Sequence, residues 1–164
     1  ARLRGPAKDT GSGGTPDKTS EMNCDTGECM EKPYFLIDFF PACVPAARSE
    51  AFVAAEEWLL TEDVPDFSRR VTRILLKLSC YFECEFIHDG KAVMPSGAVL
   101  LETVSTVVVR RHGTLEIGIA AEDTLITLDA GDLYLTVYHP SARAVRLLQQ
   151  LAASEGLFWR QGNA

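Results

Sequence analysis

Between Thr114 and His139 the chain reads TLEIGIAAEDTLITLDAGDLYLTVYH, three alternating runs separated by acidic and glycine-containing turns. Successive side chains on a strand point to opposite faces, so Leu115, Ile117 and Ile119 must lie on one side. The same rule puts Leu133, Leu135 and Val137 on one side of their own strand. Leu125-Ile126-Thr127-Leu128 sits between these runs, after Glu122-Asp123 and before Asp129-Ala130-Gly131-Asp132. Alternation bounded by turn residues predicts an antiparallel three-strand meander with one apolar face.

The remaining elements can be placed around that meander. Pro33 to Pro41 encloses an aromatic, apolar run that fits a buried strand, because a short helix between prolines would be poor. Asp38 within it should cap a loop or pair with an arginine, as buried carboxylates need partners. Ser49 can cap a helix to about Leu60, with Phe52, Ala55, Leu59 and Leu60 as its stripe. Val64-Pro65-Asp66 reads as a break. A second helix follows from about Ser68 to Ser79, with Val71, Ile74, Leu75 and Leu78 inward and Arg69, Arg70, Arg73 and Lys77 on a solvated face. Cys80 to Ile87 has strand composition, with Phe82, Cys84 and Phe86 on one side. His88-Asp89-Gly90-Lys91 is a tight hairpin turn leading to a short return arm, Ala92 to Met94.

Ser96 to His112 is ambiguous in composition. Val104 to Val109 is β-branched enough for a strand, yet Ser96 is a natural N-cap and Leu100, Val104, Val107 and Val108 share a helical face. Arg110, Arg111, His112 and Gly113 then supply cations and a glycine at the end, which favours a helix. Pro140-Ser141 opens a last helix with Val145, Leu148, Leu151 and Ala152 as its buried stripe, and Gly156 ends it. Leu157-Phe158-Trp159 is too apolar for a free tail and should dock as an edge strand or plug. The order β-α-α-β-β-α-β-β-β-α-β predicts an α+β fold, with about four helices covering one face of a mainly antiparallel sheet. Residues 1–31, rich in Gly, Pro, Ser and Thr and without periodicity, read as a disordered tail, leaving 32–164 as a single domain.

Several chemistries are disfavoured. A net charge of −7 argues against generic nucleic-acid binding, which needs a cationic face. No apolar run approaches the roughly 20 residues of a bilayer span, and the apolar core of a secretory signal is missing. Five cysteines without dense spacing point to a reduced, cytoplasmic protein rather than a disulfide scaffold. Neither Cys24/Cys29 nor Cys80/Cys84 has the spacing of a zinc knuckle, and Cys43, Cys80 and Cys84 are expected to be small buried hydrophobes. Nucleophile-elbow, phosphate-loop and dinucleotide motifs are missing, and Gly11 to Gly14 belongs to the tail. No catalytic residue, metal or cofactor is assigned on these grounds.

A binding face is the more specific expectation. Tyr134, Thr136 and Tyr138 oppose the aliphatic side of the last meander strand, and Glu116 and Gly118 oppose that of the first. Tyrosine joins a large ring to a polar tip and is enriched at interfaces, so Tyr134, Tyr138 and Glu116 are the candidate binding residues. Four helices would suffice to cover this face and leave the tyrosines half-buried. Left uncovered, it could grip another protein, and an exposed sheet edge offers a second route. The expectation is a small non-enzymatic protein-binding domain of adaptor or immunity type. The rivals are a small-ligand or metal-binding enzyme or sensor using Cys80, Cys84 and His88, and a homo-oligomer subunit assembled through a sheet edge or the Trp159 segment.

Overall fold

All seven strands pair antiparallel in one sheet in the computed structural model, which describes residues 33–162. They are β1 (Tyr34–Asp38), β2 (Cys84–His88), β3 (Lys91–Ala92), β4 (Thr114–Ile119), β5 (Thr124–Asp129), β6 (Tyr134–Tyr138) and β7 (Phe158–Gln161). Across the sheet the order is β3-β2-β4-β5-β6-β1-β7. The helices are α1 (Ser49–Trp58), α2 (Val64–Leu78), α3 (Gly97–Val108) and α4 (Ala142–Ser154). A π turn over Leu59–Asp63 joins α1 to α2, so the four make three helical bodies. The fold is α+β and the elements follow the expected order. The expected tail, with Cys24 and Cys29, lies outside the described residues.

Alternation decides which face of the sheet is buried. Leu115, Ile117, Ile119, Ile126, Leu128, Leu135, Val137 and Ile37 are nearly inaccessible and join one core with the apolar stripes of α2, α3 and α4. Leu100, Val104, Val107 and Val108 supply the α3 stripe, and the Ser96 hydroxyl accepts a hydrogen bond from the Val99 amide as its cap. The β-branched run from Val104 is therefore helical because its apolar residues recur at helical spacing and its first turn is capped. Arg110, Arg111 and His112 fall beyond that helix rather than in its last turn. Asp89 and Gly90 both have positive φ, 48° and 74°, which closes the expected two-residue hairpin between β2 and β3.

Three expectations are corrected. Val64-Pro65-Asp66 does not break the chain. Pro65 lies in the first turn of α2, where its missing N–H is not needed, and the widened π turn before it relieves crowding against the carbonyl four residues earlier. The strand expected from Cys80 starts only at Cys84, because residues 79–82 complete a turn after α2. Finally, the cations of α2 are not simply solvated. Arg73 Nε and Lys77 Nζ donate to the Glu155 carboxylate at 2.6 and 2.7 Å, and Arg70 Nη1 donates to the Glu155 carbonyl at 3.1 Å.

Glu155 is the C-cap of α4, where a negative charge opposes the helix dipole. Burial of its carboxyl would raise its pKa, but the hydrogen bonds and charges of Lys77 and Arg73 outweigh burial and hold it below the ordinary 4.5. The lowered pKa means this clamp stabilises the fold above about pH 4.5 and is lost as pH falls through the folded-state value. Glu155→Gln should cost about 1–2 kcal/mol in urea unfolding at pH 7, discounted because both cations are half-exposed. The gap between wild type and variant should shrink at pH 3.

Candidate functional site

Helices α2, α3 and α4 pack on the core face of the sheet, whereas α1 adds no residue to that core and flanks the sheet end near Asp38, Tyr134 and Arg160. Two rows of directly paired residues cross the other face. One runs Glu85, Gly118, Leu125, Tyr138 and Tyr34, over β2, β4, β5, β6 and β1. The other runs Ile87, Glu116, Thr127, Thr136, Leu36 and Arg160, ending on β7. Same-face neighbours in such rows lie one strand spacing apart, about 4.8 Å, so each row forms a continuous surface. None of α2, α3 and α4 covers the tyrosine-bearing face, and its exposure is graded: Glu85, Glu116 and Leu125 are exposed, Tyr34 and Tyr138 half-buried, and Leu36 and Thr136 buried.

Its relief follows from a few side chains. Tyr34 and Tyr138 pack ring against ring, centroids 6.2 Å apart, forming an aromatic ridge over β1 and β6. Leu125 is exposed beside it, and Gly118, with open space where a Cβ would stand, lowers the floor next to Leu125. Glu116 and Glu85 are exposed on the far side and make no ion pair among the described residues. Arg160 is the sole cation among the strand residues of this face. It is already engaged: its Nε and Nη2 donate to Asp38 Oδ2 at 3.0 and 2.6 Å. The same carboxylate accepts from the Phe40 amide through Oδ1 at 3.2 Å, so Asp38 both pairs with an arginine and caps the loop after β1, as expected.

The expected trio is divided by the geometry. Tyr138 and Glu116 share one face, about 12 Å apart at two strand spacings and two residues along the strand. Tyr134 lies at the opposite end of β6, roughly 13 Å from Tyr138 at about 3.3 Å per residue. There it lines a cleft of about 290 Å³ between the sheet end and α1. Ser49, Phe52, Glu56 and Leu59 form one wall, and Asp38, Gly131, Asp132, Leu133 and Arg160 form the other with Tyr134. Phe40 and Phe52 pack at 5.5 Å in the cleft lining. Sequence reasoning missed Asp132, which read only as a turn residue, and Glu56, which lies at helical spacing but outside the apolar stripe of its helix.

The cleft is electrostatically negative. Burial pushes the Asp132 carboxyl up, and crowding by Asp129 and Glu56 adds to the rise, while a hydrogen bond from Tyr134 opposes it. Burial and the Asp132 charge also push the Tyr134 phenol up to about 12, so it stays protonated and donates to Asp132 at neutral pH. Chemically this site suits a cation with an apolar stem.

The cysteine and histidine candidates do not converge. Cys84 and His88 occupy opposite ends of β2, about 13 Å apart along the strand, and Cys80 is exposed in the turn after α2, its thiol bonded to the Leu76 carbonyl. Cys43 is exposed as well, so of the three cysteines expected in the core only Cys84 is even half-buried. Burial pushes the Cys84 thiol up despite a hydrogen bond with Ser79, the opposite of what a reactive thiolate needs. Among the described residues no cluster of His, Cys, Asp and Glu has a metal-holding arrangement, and no helix is long and apolar enough to cross a membrane. No family model, curated protein or solved structure matches the chain.

The Asp38–Arg160 pair braces the cleft floor from buried side chains. Asp38→Ala should cost about 3 kcal/mol in chemical unfolding, because it strands a largely buried guanidinium. Adding Arg160→Met should recover part of that loss. Equal costs for the single and double variants would show that the pair does not act as a unit.

Proposed function

We propose that the protein is a non-enzymatic protein-binding domain, of adaptor or immunity type, whose tyrosine-bearing sheet face docks on a basic surface of its partner. The observation that carries this reading is the combination, on the sheet face away from α2, α3 and α4, of an aromatic ridge, Tyr34 and Tyr138, with exposed acidic positions that make no ion pair among the described residues, Glu85 and Glu116. Rings supply desolvated contact area at low entropic cost, and carboxylates around them select a cationic partner and speed its approach. The same carboxylates repel phosphates, which weighs against a nucleic-acid partner. A net charge of −7 extends this bias over the whole chain.

Affinity capture from the native cells tests this reading when run side by side with Glu116→Lys and Tyr138→Ser. Glu116 is exposed, so its reversal should shift stability by no more than about 0.5 kcal/mol. The wild type should retain a partner with a basic surface, with binding that weakens as salt rises. Both variants should lose it while keeping nearly wild-type melting temperatures. Equal recovery of the same proteins by wild type and both variants would contradict an interface on this face.

A further inference from the structure

The cleft at the end of the sheet differs from the tyrosine-bearing face in shape and chemistry, and it narrows the kind of partner considerably. We infer that this cleft takes a single arginine side chain from the partner, its guanidinium lying between Glu56 and Asp132 and its stem against Phe40, Phe52 and Leu59. The inference rests on the protein-binding reading and deepens it by naming a recognised residue.

Three observations converge. The first is size: about 290 Å³ falls just below the roughly 300–1,000 Å³ of clefts that hold drug-sized ligands, which suits one long side chain. The second is the lining. Phe52 on α1 and Leu59 in the π turn after it line the cleft with Leu133 and Tyr134 of the sheet side, and Phe40 comes from the loop after β1. Apolar and aromatic walls exclude water from an alkyl stem and offer ring faces to a planar cation.

The third is charge. Glu56 and Asp132 both line the cleft, and after burial the charges of Asp129 and then Glu56 push the Asp132 carboxyl up. Neither Glu56 nor Asp132 has an ion-pair partner among the described residues, and the nearest lining cation, Arg160, is committed to Asp38 by two hydrogen bonds. Carboxylates held together without a cation are a standing electrostatic cost that an incoming cation relieves. Tyr134 fixes one end of the arrangement by donating to Asp132, which leaves that carboxylate's remaining lone pairs for a ligand.

Arginine fits better than lysine for geometric reasons. Its flat guanidinium carries five donors, enough to span two separate carboxylates while stacking on a ring. An ammonium is a compact, strongly hydrated charge that gains less from the aromatic wall. Anionic ligands are excluded by the same carboxylates.

The test titrates the full chain with N-acetyl-arginine amide, following amide shifts by NMR, with the lysine and citrulline amides as comparison probes. Citrulline keeps the shape of arginine and removes its charge. Saturable binding of the arginine probe near 1 mM or tighter is expected, with the largest shifts at residues lining the cleft. The citrulline and lysine probes should bind at least about tenfold more weakly. Glu56→Gln and Asp132→Asn should each weaken the arginine probe severalfold. Glu56 is exposed on α1, so its variant keeps the test valid even if Asp132→Asn disturbs its turn. Absence of saturation up to about 10 mM, equal binding of the three probes, or insensitivity to Glu56→Gln would overturn the inference. If the probe fails while Glu116→Lys still abolishes partner capture, the cleft assignment falls and the protein-binding reading stands. Arginine-probe binding without any partner that depends on the tyrosine-bearing face would have the reverse meaning.

Discussion

Packing of α2, α3 and α4 against one face of a seven-stranded sheet is the constraint from which most of this structure follows. Antiparallel strands alternate strictly, so burying one face fixes which residues lie on the other. Leu115, Ile117 and Ile119 enter the core and thereby turn Glu116 and Gly118 outward. Leu135 and Val137 do the same for Tyr134, Thr136 and Tyr138. A one-residue slip would exchange the two sets, and the density of β-branched and leucine side chains on the core rows makes that slip prohibitively unfavourable.

The helical layer itself is held by charge as well as packing. Glu155 sits where α4 ends against α2, and Arg70, Arg73 and Lys77 converge on that end from a single face of α2. This pins the end of α4 immediately before the chain enters β7. β7 then pairs with β1 and carries Arg160 to Asp38. The path from a helix terminus to the floor of the cleft is thus short and continuous. By contrast, α1 contributes no fully buried residue and leaves Val53 and Trp58 exposed, so the wall it gives the cleft is the least embedded part of the helical layer.

Much of the fold was legible because its local signals agree. The meander, the Asp89-Gly90 hairpin, the Ser96 and Ser141 caps and the docked strand near Trp159 each rest on residues a few positions apart. What was not legible depends on pairs distant in the chain. Arg73 and Lys77 look solvated until Glu155 is brought to them, and Asp132 looks like a turn residue until Glu56 comes beside it. Tyr138 and Glu116 could be placed on one face by parity alone, whereas their separation from Tyr134 needed the position of α1. Pro65 misled for a local reason: a proline in the first turn of a helix resembles a breaker in sequence while costing the helix little.

The central claim is that Tyr138, half-buried, and Leu125, exposed, are reached by solvent in the free protein and are covered by a partner. Hydroxyl-radical footprinting of the full chain, with residue-level mass spectrometry, addresses it directly. The account predicts rapid oxidation of Tyr138 and Leu125 in the free protein, slow oxidation of Leu128 on the core face, and protection of Tyr138 and Leu125 when the partner is bound. Tyr138 and Leu125 as protected as Leu128 in the free chain would contradict the account, since the face would then already be occupied.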